Sequence, residues 1–195
     1  MPGPRSEATR RRILDTTRRL LAEAGTTGTG LKQIVAASGV AYGSVYHQFP
    51  EGKDALVAAA IDDAGDDLGA LIAQVFEASE SFAAATRMVF DLGAQLLEST
   101  GFRQGCPVGT ATADGHAVEP IRAAADVAFA KWIDIIAANA VRHGVEQSEA
   151  ASLATAILAL YEGGLILART SHSTAAMHTT ADAAARLVEG ALPTT

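Results

Sequence analysis

The pattern of apolar and polar positions along the chain predicts a protein built from helices. Apolar residues recur at three- and four-residue spacing, the period of one helix face, in six long segments: 6–24, 53–77, 82–99, 118–143, 148–170 and 180–190. Two shorter helices are expected between 29 and 49, and one more within the Gly-rich stretch 100–115. Strand-like runs of β-branched residues are absent, so the sequence predicts an all-α fold of about nine helices.

The two short helices lie in the stretch from Thr29 to Lys53. Leu31, Ile34 and Val35 have helical spacing and predict the buried stripe of the first helix, which Gly39 ends in a left-handed turn. Val45 and Phe49 predict the buried face of the second. Its other face is mostly polar: Tyr42, Gly43, Ser44, Tyr46, His47 and Gln48. Two helices joined by a tight Gly turn, the second with a polar face, are typical of a DNA-binding helix-turn-helix.

Five segments in and just after this stretch match the sequence pattern of a known protein family: Thr29-Gly30-Leu31, Gln33-Ile34-Val35, Ser38-Gly39-Val40, Gly43-Ser44-Val45-Tyr46-His47-Gln48-Phe49 and Gly52-Lys53-Asp54-Ala55-Leu56. They resemble the N-terminal domain of TetR-type transcriptional regulators. Phe49-Pro50-Glu51-Gly52-Lys53 and Gly105-Cys106-Pro107-Val108-Gly109 are similar to the LmrA/YxaF-like branch. The resemblance implies a helix-turn-helix domain at 1–53 and a helical ligand-binding and dimerisation domain at 54–195. It also implies a repressor that binds a palindromic operator as a homodimer and is released by a small molecule.

Charge is divided unevenly along the chain. Residues 1–53 hold eight Lys and Arg against four Asp and Glu, whereas the remainder holds seven against eighteen, within a net charge of −7. A basic head on an acidic body predicts a polyanionic partner for the head alone. The single cysteine excludes an intrachain disulfide, and no apolar signal segment follows the Arg-rich start. We therefore expect a cytoplasmic protein that does not enter a membrane.

The polar helix face and the resemblance together predict the residues that contact double-stranded DNA: Thr29, Lys32, Gln33, Tyr42, Gly43, Ser44, Tyr46, His47 and Lys53. Thr29 is expected to cap the first short helix, whose amides would attract phosphate. Tyr46 and Lys53 are assigned to phosphates, and Tyr42 and Ser44 to base edges or nearby phosphates. In the alternative interpretation, Tyr42 and Tyr46 are core aromatics of a three-helix domain.

The resemblance also implies a pocket among helices 5 to 8 for a small apolar or aromatic effector. Its candidate lining residues, each of which is equally an ordinary core residue, are Phe90, Phe102, Cys106, Phe129, Trp132 and Tyr161. The last two helices carry excess apolar surface, which predicts a self-complementary face between two chains. The residues assigned to it are Leu153, Ile157, Leu160, Gly164, Leu167, Leu187 and Val188.

Two other function classes remain open at this point. One is an enzyme that uses Cys106 with His116 or His143, although no nucleophile motif links these residues. The other is a helical interaction protein without DNA binding. We predict no catalytic residue, no cofactor and no metal site. Asp62, Asp63, Asp66 and Asp67 are interpreted as a solvated acidic face, since no histidine joins them.

Overall fold

The computed structural model describes residues 4–192. Within that range the chain forms nine α-helices and no strand, which confirms the all-α prediction. The helices are α1 Pro4–Ala24, α2 Leu31–Ser38, α3 Tyr42–Gln48, α4 Lys53–Ala78, α5 Phe82–Ser99, α6 Pro107–Gly115, α7 Glu119–Arg142, α8 Gln147–Ser171 and α9 Ala175–Ala191.

The start of the last helix differs from its prediction. α9 begins at Ala175, five residues before the expected start at Thr180. Its first turn contributes Met177, which is fully buried and continues the inward stripe of Ala181, Ala184 and Val188. Thr179 and Thr180 interrupt the apolar pattern near this turn, so the sequence pattern did not indicate the true start. Their hydroxyl groups donate to main-chain carbonyls one turn earlier in the helix.

The chain divides into two compact units, and the first contains the helix-turn-helix. It holds the described residues up to Asp66 together with Cys106–Ala128. In this unit α1 packs against α2, α3 and α6. Fully buried aliphatic side chains from five helices form its core: Ile13, Leu21, Ile34, Leu56, Ile61, Val108 and Ile121. The short helices are therefore stabilised by packing against longer ones rather than by their own propensity.

The second unit comprises Asp67–Gly105 and the described residues from Phe129 onward. Here α8 packs against α9 and α5, and α5 packs against α9. Gly164 of α8 is buried, and a Cβ atom at this position would lie 2.5 Å from Thr180 Oγ1 and 3.0 Å from Met177 Sδ. The glycine thus permits close contact between α8 and α9 of one chain.

By length and composition alone, α8 is a helix apolar enough to cross a membrane. Core helices of globular proteins have the same composition, and α8 packs against two other helices of its unit.

Candidate nucleic-acid interface

The start of α2 is built differently from the prediction. Gly30, not Thr29, is the N-cap, and its amide donates to the Oε1 atom of Gln33 at 2.6 Å. Thr29 is fully buried, and its hydroxyl donates to the Gly25 carbonyl at 2.7 Å. The assignment of Thr29 as N-cap was wrong, and its side chain has no exposed surface to offer DNA. The end of α2 was predicted correctly, because Gly39 caps it with a φ of +64°.

The second short helix, α3, presents two tyrosine rings to solvent. Val45 and Phe49 are buried, whereas Tyr42 is 46% and Tyr46 is 44% exposed. The two ring centroids lie 5.2 Å apart, and a hydrogen bond with Tyr42 raises the pKa of the Tyr46 hydroxyl. The alternative interpretation of both tyrosines as core aromatics is therefore wrong. Close packing of the apolar side chains on the inner face leaves both rings on the outer face.

The remaining predicted contacts on α2 and α3 lie at or near the surface. Gly43, His47, Lys32 and Gln33 are exposed, and Ser44 is half-buried. Apart from its chain neighbours and the backbone of α3 itself, no atom of the described residues lies within 4 Å of the place a Cβ atom would take at Gly43. Although Gln33 uses its side-chain oxygen in the cap of α2, its amide NH₂ is left for another acceptor.

Lys53 begins α4 and is held by the turn between α1 and α2. Its Nζ atom donates to the Thr26 carbonyl at 2.7 Å, and the side chain is half-buried. One hydrogen bond leaves two ammonium protons for other acceptors. Thr26 was not among the predicted site residues, because its link to Lys53 is made through the main chain.

Two arginines of α1 are bonded to the ends of the short helices. Arg12 Nη2 donates to the Ser38 carbonyl at 2.6 Å, at the C-terminus of α2. Arg10 Nη1 donates to the Gln48 carbonyl at 3.3 Å, at the C-terminus of α3, and its guanidinium lies 4.4 Å from the centroid of the Phe49 ring. A cation is favourable at a helix C-terminus, where the dipole is negative. Both arginines therefore link α1 to the helix-turn-helix and stabilise it.

Three further arginines of α1 are paired with acids. Arg11 and Arg18 bond the two oxygens of Asp63, at 2.9 and 2.7 Å, and Arg19 bonds Glu23 at 3.1 Å. The interpretation of Asp63 as part of a solvated acidic face was wrong, since it ties α4 to α1. Much of the basic charge that the sequence assigns to the head is consequently engaged within the protein.

The candidate effector residues fall into separate groups. In the second unit, Phe90 and Tyr161 meet edge to face at 5.3 Å, and Phe129 and Trp132 do so at 5.5 Å. Phe102 lines a shallow surface cleft of about 280 Å³ with Ile166, Arg169 and Thr170. Cys106 belongs to the first unit, where it is buried as the N-cap of α6 and its Sγ accepts from the Gly109 amide at 3.4 Å.

The candidate dimer residues divide by exposure. Leu153, Ile157, Gly164 and Val188 are buried within one chain, so their side chains have little or no surface left for a partner. Leu160 is half-buried. Leu167 and Leu187 are exposed, and so is Ile166, which was not among the residues assigned to the dimer face. These four residues of α8 and α9 are instead covered where α5, α8 and α9 pack against one another within one chain.

The enzyme alternative finds no geometric support in α6. Cys106 and His116 are the N-cap and C-cap of this nine-residue helix, so about 15 Å of helix separates them. His143 bonds the Asn139 carbonyl through Nδ1 at 2.8 Å and stacks on Phe82. Among residues 4–192, no group of three or more His, Cys, Asp or Glu side chains is placed to hold a metal.

The short helix α2 ends in a Gly turn and is followed by a second short helix, α3, whose polar face is exposed. This arrangement defines a helix-turn-helix DNA-binding protein. Comparison with known proteins agrees. Residues 13–60 match the model of bacterial regulatory proteins of the tetR family, and residues 82–183 match the C-terminal domain of LmrA/YxaF-like transcriptional regulators. The HTH-type transcriptional regulator YxaF of Bacillus subtilis is 33% identical over 163 residues, which cover 83% of this chain and 85% of YxaF. The chain belongs to the TetR family of transcriptional regulators, in the LmrA/YxaF-like branch.

Solved structures show the same fold. A TetR-family regulator from Cytophaga hutchinsonii superposes with a TM-score of 0.83 at 21% identity, over the full length of both chains. A cysteine-substituted variant of the TetR-family regulator CifR, in complex with 26-bp double-stranded operator DNA, gives 0.77 at 17% identity, over 90% of this chain and 94% of CifR. The protein is thus a DNA-binding transcriptional regulator built on the TetR fold.

Proposed function

We propose that the protein is a ligand-responsive repressor that binds a palindromic operator as a homodimer and is released by a small molecule. The observation that carries the DNA-contact part is the outer face of α3, where Tyr42, Gly43, Tyr46 and His47 are all exposed. Lys32, which is also exposed, supplies a positive charge from α2. We assign Tyr46, Lys32 and Lys53 to phosphates, and Tyr42 and Ser44 to bases.

Selection of random duplex DNA by the purified protein, at two salt concentrations, tests DNA recognition. We expect a palindrome whose affinity falls as salt rises, because phosphate contacts release counterions. Tyr46→Phe or Lys53→Ala should weaken binding to every sequence, while changes at Tyr42 or Ser44 should shift the preferred sequence. An equal loss for all sequences on changing Tyr42 would contradict its base-reading role.

Gly43 offers a sharper probe, because DNA binding and folding should respond to its replacement differently. Gly43→Ala adds a methyl group into open space in the free protein, so stability should stay the same or rise by up to about 1 kcal/mol. If the outer face of α3 enters the major groove, the same methyl group will weaken operator binding. Unchanged affinity for the selected duplex would show that this face stays away from the DNA.

The homodimer proposal rests on apolar surface that one chain leaves uncovered. Ile166 and Leu167 are 65% and 58% exposed on α8, and Leu187 is exposed on α9. Exposed clusters of large apolar side chains mark interaction sites. Leu167→Asp should convert a dimer to a monomer in sedimentation velocity, whereas Val127→Asp, at a similarly exposed position outside α8 and α9, should not. A monomeric wild type would refute the proposal.

The effector proposal rests on the aromatic pairs Phe90–Tyr161 and Phe129–Trp132 of the second unit, because sites for small apolar or aromatic molecules are lined mainly by aromatic and apolar side chains. Such a ligand releases DNA only if it binds the released conformation more tightly than the DNA-bound one. We expect a compound that raises the melting temperature of the free protein and also lowers its affinity for the selected duplex. A ligand that stabilises the protein and leaves DNA affinity unchanged is not the effector. We further propose that the protein acts as a cytoplasmic regulator without catalytic activity.

A further inference from the structure

A carboxylate at the end of α6 accepts hydrogen bonds from the turn between α1 and α2. Asp114 Oδ1 accepts from the Thr26 amide at 2.9 Å, and Oδ2 accepts from the Thr27 amide at 2.7 Å. The Thr26 hydroxyl donates to the Ala111 carbonyl of α6 at 2.9 Å. Three hydrogen bonds therefore fasten this turn to a helix about 85 residues away in the sequence.

The contact is shaped to fit closely on both sides. Gly25 has a φ of +66°, and a Cβ atom there would lie 3.0 Å from Asp114 Oδ2. A Cβ atom at Gly115 would lie 2.8 Å from Thr26 Oγ1. Since each side presents a glycine where a side chain would collide, the turn and the end of α6 are in direct contact, with little room for either to shift.

The same turn holds the lysine at the start of α4. The Thr26 carbonyl accepts from Lys53 Nζ at 2.7 Å, while the Thr26 amide and hydroxyl are bonded to α6. Loss of hydration tends to raise the pKa of Asp114, but hydrogen bonds from Thr27 and Thr26 outweigh it and hold that pKa below its usual value. Asp114 is therefore ionised at neutral pH and accepts both amides as a carboxylate.

We propose that Asp114 is a positioning residue for DNA binding, which fixes the Thr26 carbonyl and through it the ammonium group of Lys53. This inference rests on the proposed contact between Lys53 and a phosphate. The inference predicts that removing this negative charge changes DNA affinity in the direction opposite to the usual one. Removing a negative charge from a DNA-binding unit ordinarily strengthens DNA binding, because repulsion of the phosphates falls. Removing Asp114 should weaken binding, because Lys53 is then no longer held in position.

A double-mutant cycle between Asp114 and Lys53 tests the link. Affinity is measured by fluorescence anisotropy, from 50 to 300 mM salt, on a labelled duplex selected by the protein from a random pool. The variants are Asp114→Ala, Lys53→Met and the pair. Asp126→Asn is the charge control, because Asp126 is exposed on α7 in the same unit. Thermal unfolding of each variant ensures that affinity is compared between folded proteins.

We expect Asp114→Ala to weaken binding about tenfold and to flatten the dependence of log K on log salt, as Lys53→Met does. The slope should change by up to about 0.9 for each phosphate that the protein no longer neutralises. In the Lys53→Met background, Asp114→Ala should have no further effect on affinity or slope. Asp126→Asn should leave binding unchanged or slightly stronger.

Two results would overturn the inference. Equal losses of affinity on Asp114→Ala with and without Lys53 would show that Asp114 acts on something else, such as general stability. An unchanged affinity and slope for a folded Asp114→Ala protein would show that the turn needs no fastening. In both cases the wild type still binds its duplex with a steep salt dependence, so the proposed function stands. A wild type that binds no duplex at any salt concentration overturns both proposals.

Discussion

Replacing Asp63 by alanine should destabilise the protein far more than the same change at its neighbour Asp62. Asp63 is the meeting point of α4 with two arginines of α1, Arg11 and Arg18. Asp62 is one position away on the same helix but is exposed. Loss of hydration and the nearby charge of Asp66 raise the pKa of Asp62, so its charge is unfavourable in the folded protein. Both changes to alanine alter helix propensity equally, so the difference isolates the contacts.

The size of the effect follows from the exposure of the partners. The side chains of Arg18 and Asp63 are 20% and 19% exposed, so this ion pair lies between the surface and buried cases. A hydrogen bond to a charged group contributes about 1.5–3 kcal/mol. Arg11 is 52% exposed, and its pairing adds less than about 1 kcal/mol because solvent screens it. We expect Asp63→Ala to lower the free energy of unfolding by about 2 kcal/mol, or the melting temperature by about 4–8 °C.

Thermal and urea unfolding monitored by circular dichroism at pH 7 measure this difference. The raised pKa of Asp62 means that its protonated form favours the folded state, a contribution present at low pH and lost as pH rises through that pKa. Asp62→Ala should therefore be neutral or slightly stabilising at pH 7. In 1 M salt, the destabilisation by Asp63→Ala should persist in large part, since the Arg18 contact is mostly shielded from solvent. Equal unfolding curves for the two variants would refute the reasoning.

Three other predictions concern the helix-turn-helix. Gly39→Ala should lower stability by about 1–2 kcal/mol in urea unfolding, because an alanine is strained at a φ of +64°; unchanged stability would contradict this reasoning. Tyr42→Phe should lower the pKa of Tyr46 toward its ordinary value in an ultraviolet titration, because the hydrogen bond that raises this pKa is removed. An unchanged titration of Tyr46 would contradict the hydrogen bond. Arg12→Met should lower stability and leave the salt dependence of DNA binding unchanged, whereas Lys32→Met should flatten it at constant stability; the reverse pattern would mean that Arg12 contacts phosphate.

Local patterns account for much of the helix-turn-helix that was predicted correctly. The spacing of Val45 and Phe49 defines the inner face of α3, and the opposite face is then exposed wherever the helix packs. Gly39 marks the end of α2 because few other residues take a left-handed conformation easily. These features depend on residues within a few positions of one another. For that reason the sequence pattern favoured exposed rings at Tyr42 and Tyr46, and the structure then excluded the core alternative.

The sequence predicted less well which residue caps α2 and which arginines of α1 are free to contact DNA. Thr29 has the side chain of an N-cap, but the same hydroxyl can bond a carbonyl four residues earlier, and in the structure it does so. The five arginines of α1 in the range 10–19 carry equal charge in the sequence. Their partners are a helix end for Arg10 and Arg12 and acids for the others. Nothing in the local pattern distinguishes an arginine that meets phosphate from one that holds the fold together.

The sequence by itself determined the helices, the identity of the DNA-reading motif and the family, because these depend on short-range spacing and on matched segments. Only the tertiary structure decided which polar and apolar groups are already engaged. Val188 is buried within one chain, whereas Leu167 is exposed. Asp114 accepts a hydrogen bond from Thr26, which lies 88 positions earlier in the sequence. Such contacts arise where helices distant in sequence pack together. Periodicity along the chain reports which face of a helix is apolar, but not what that face meets.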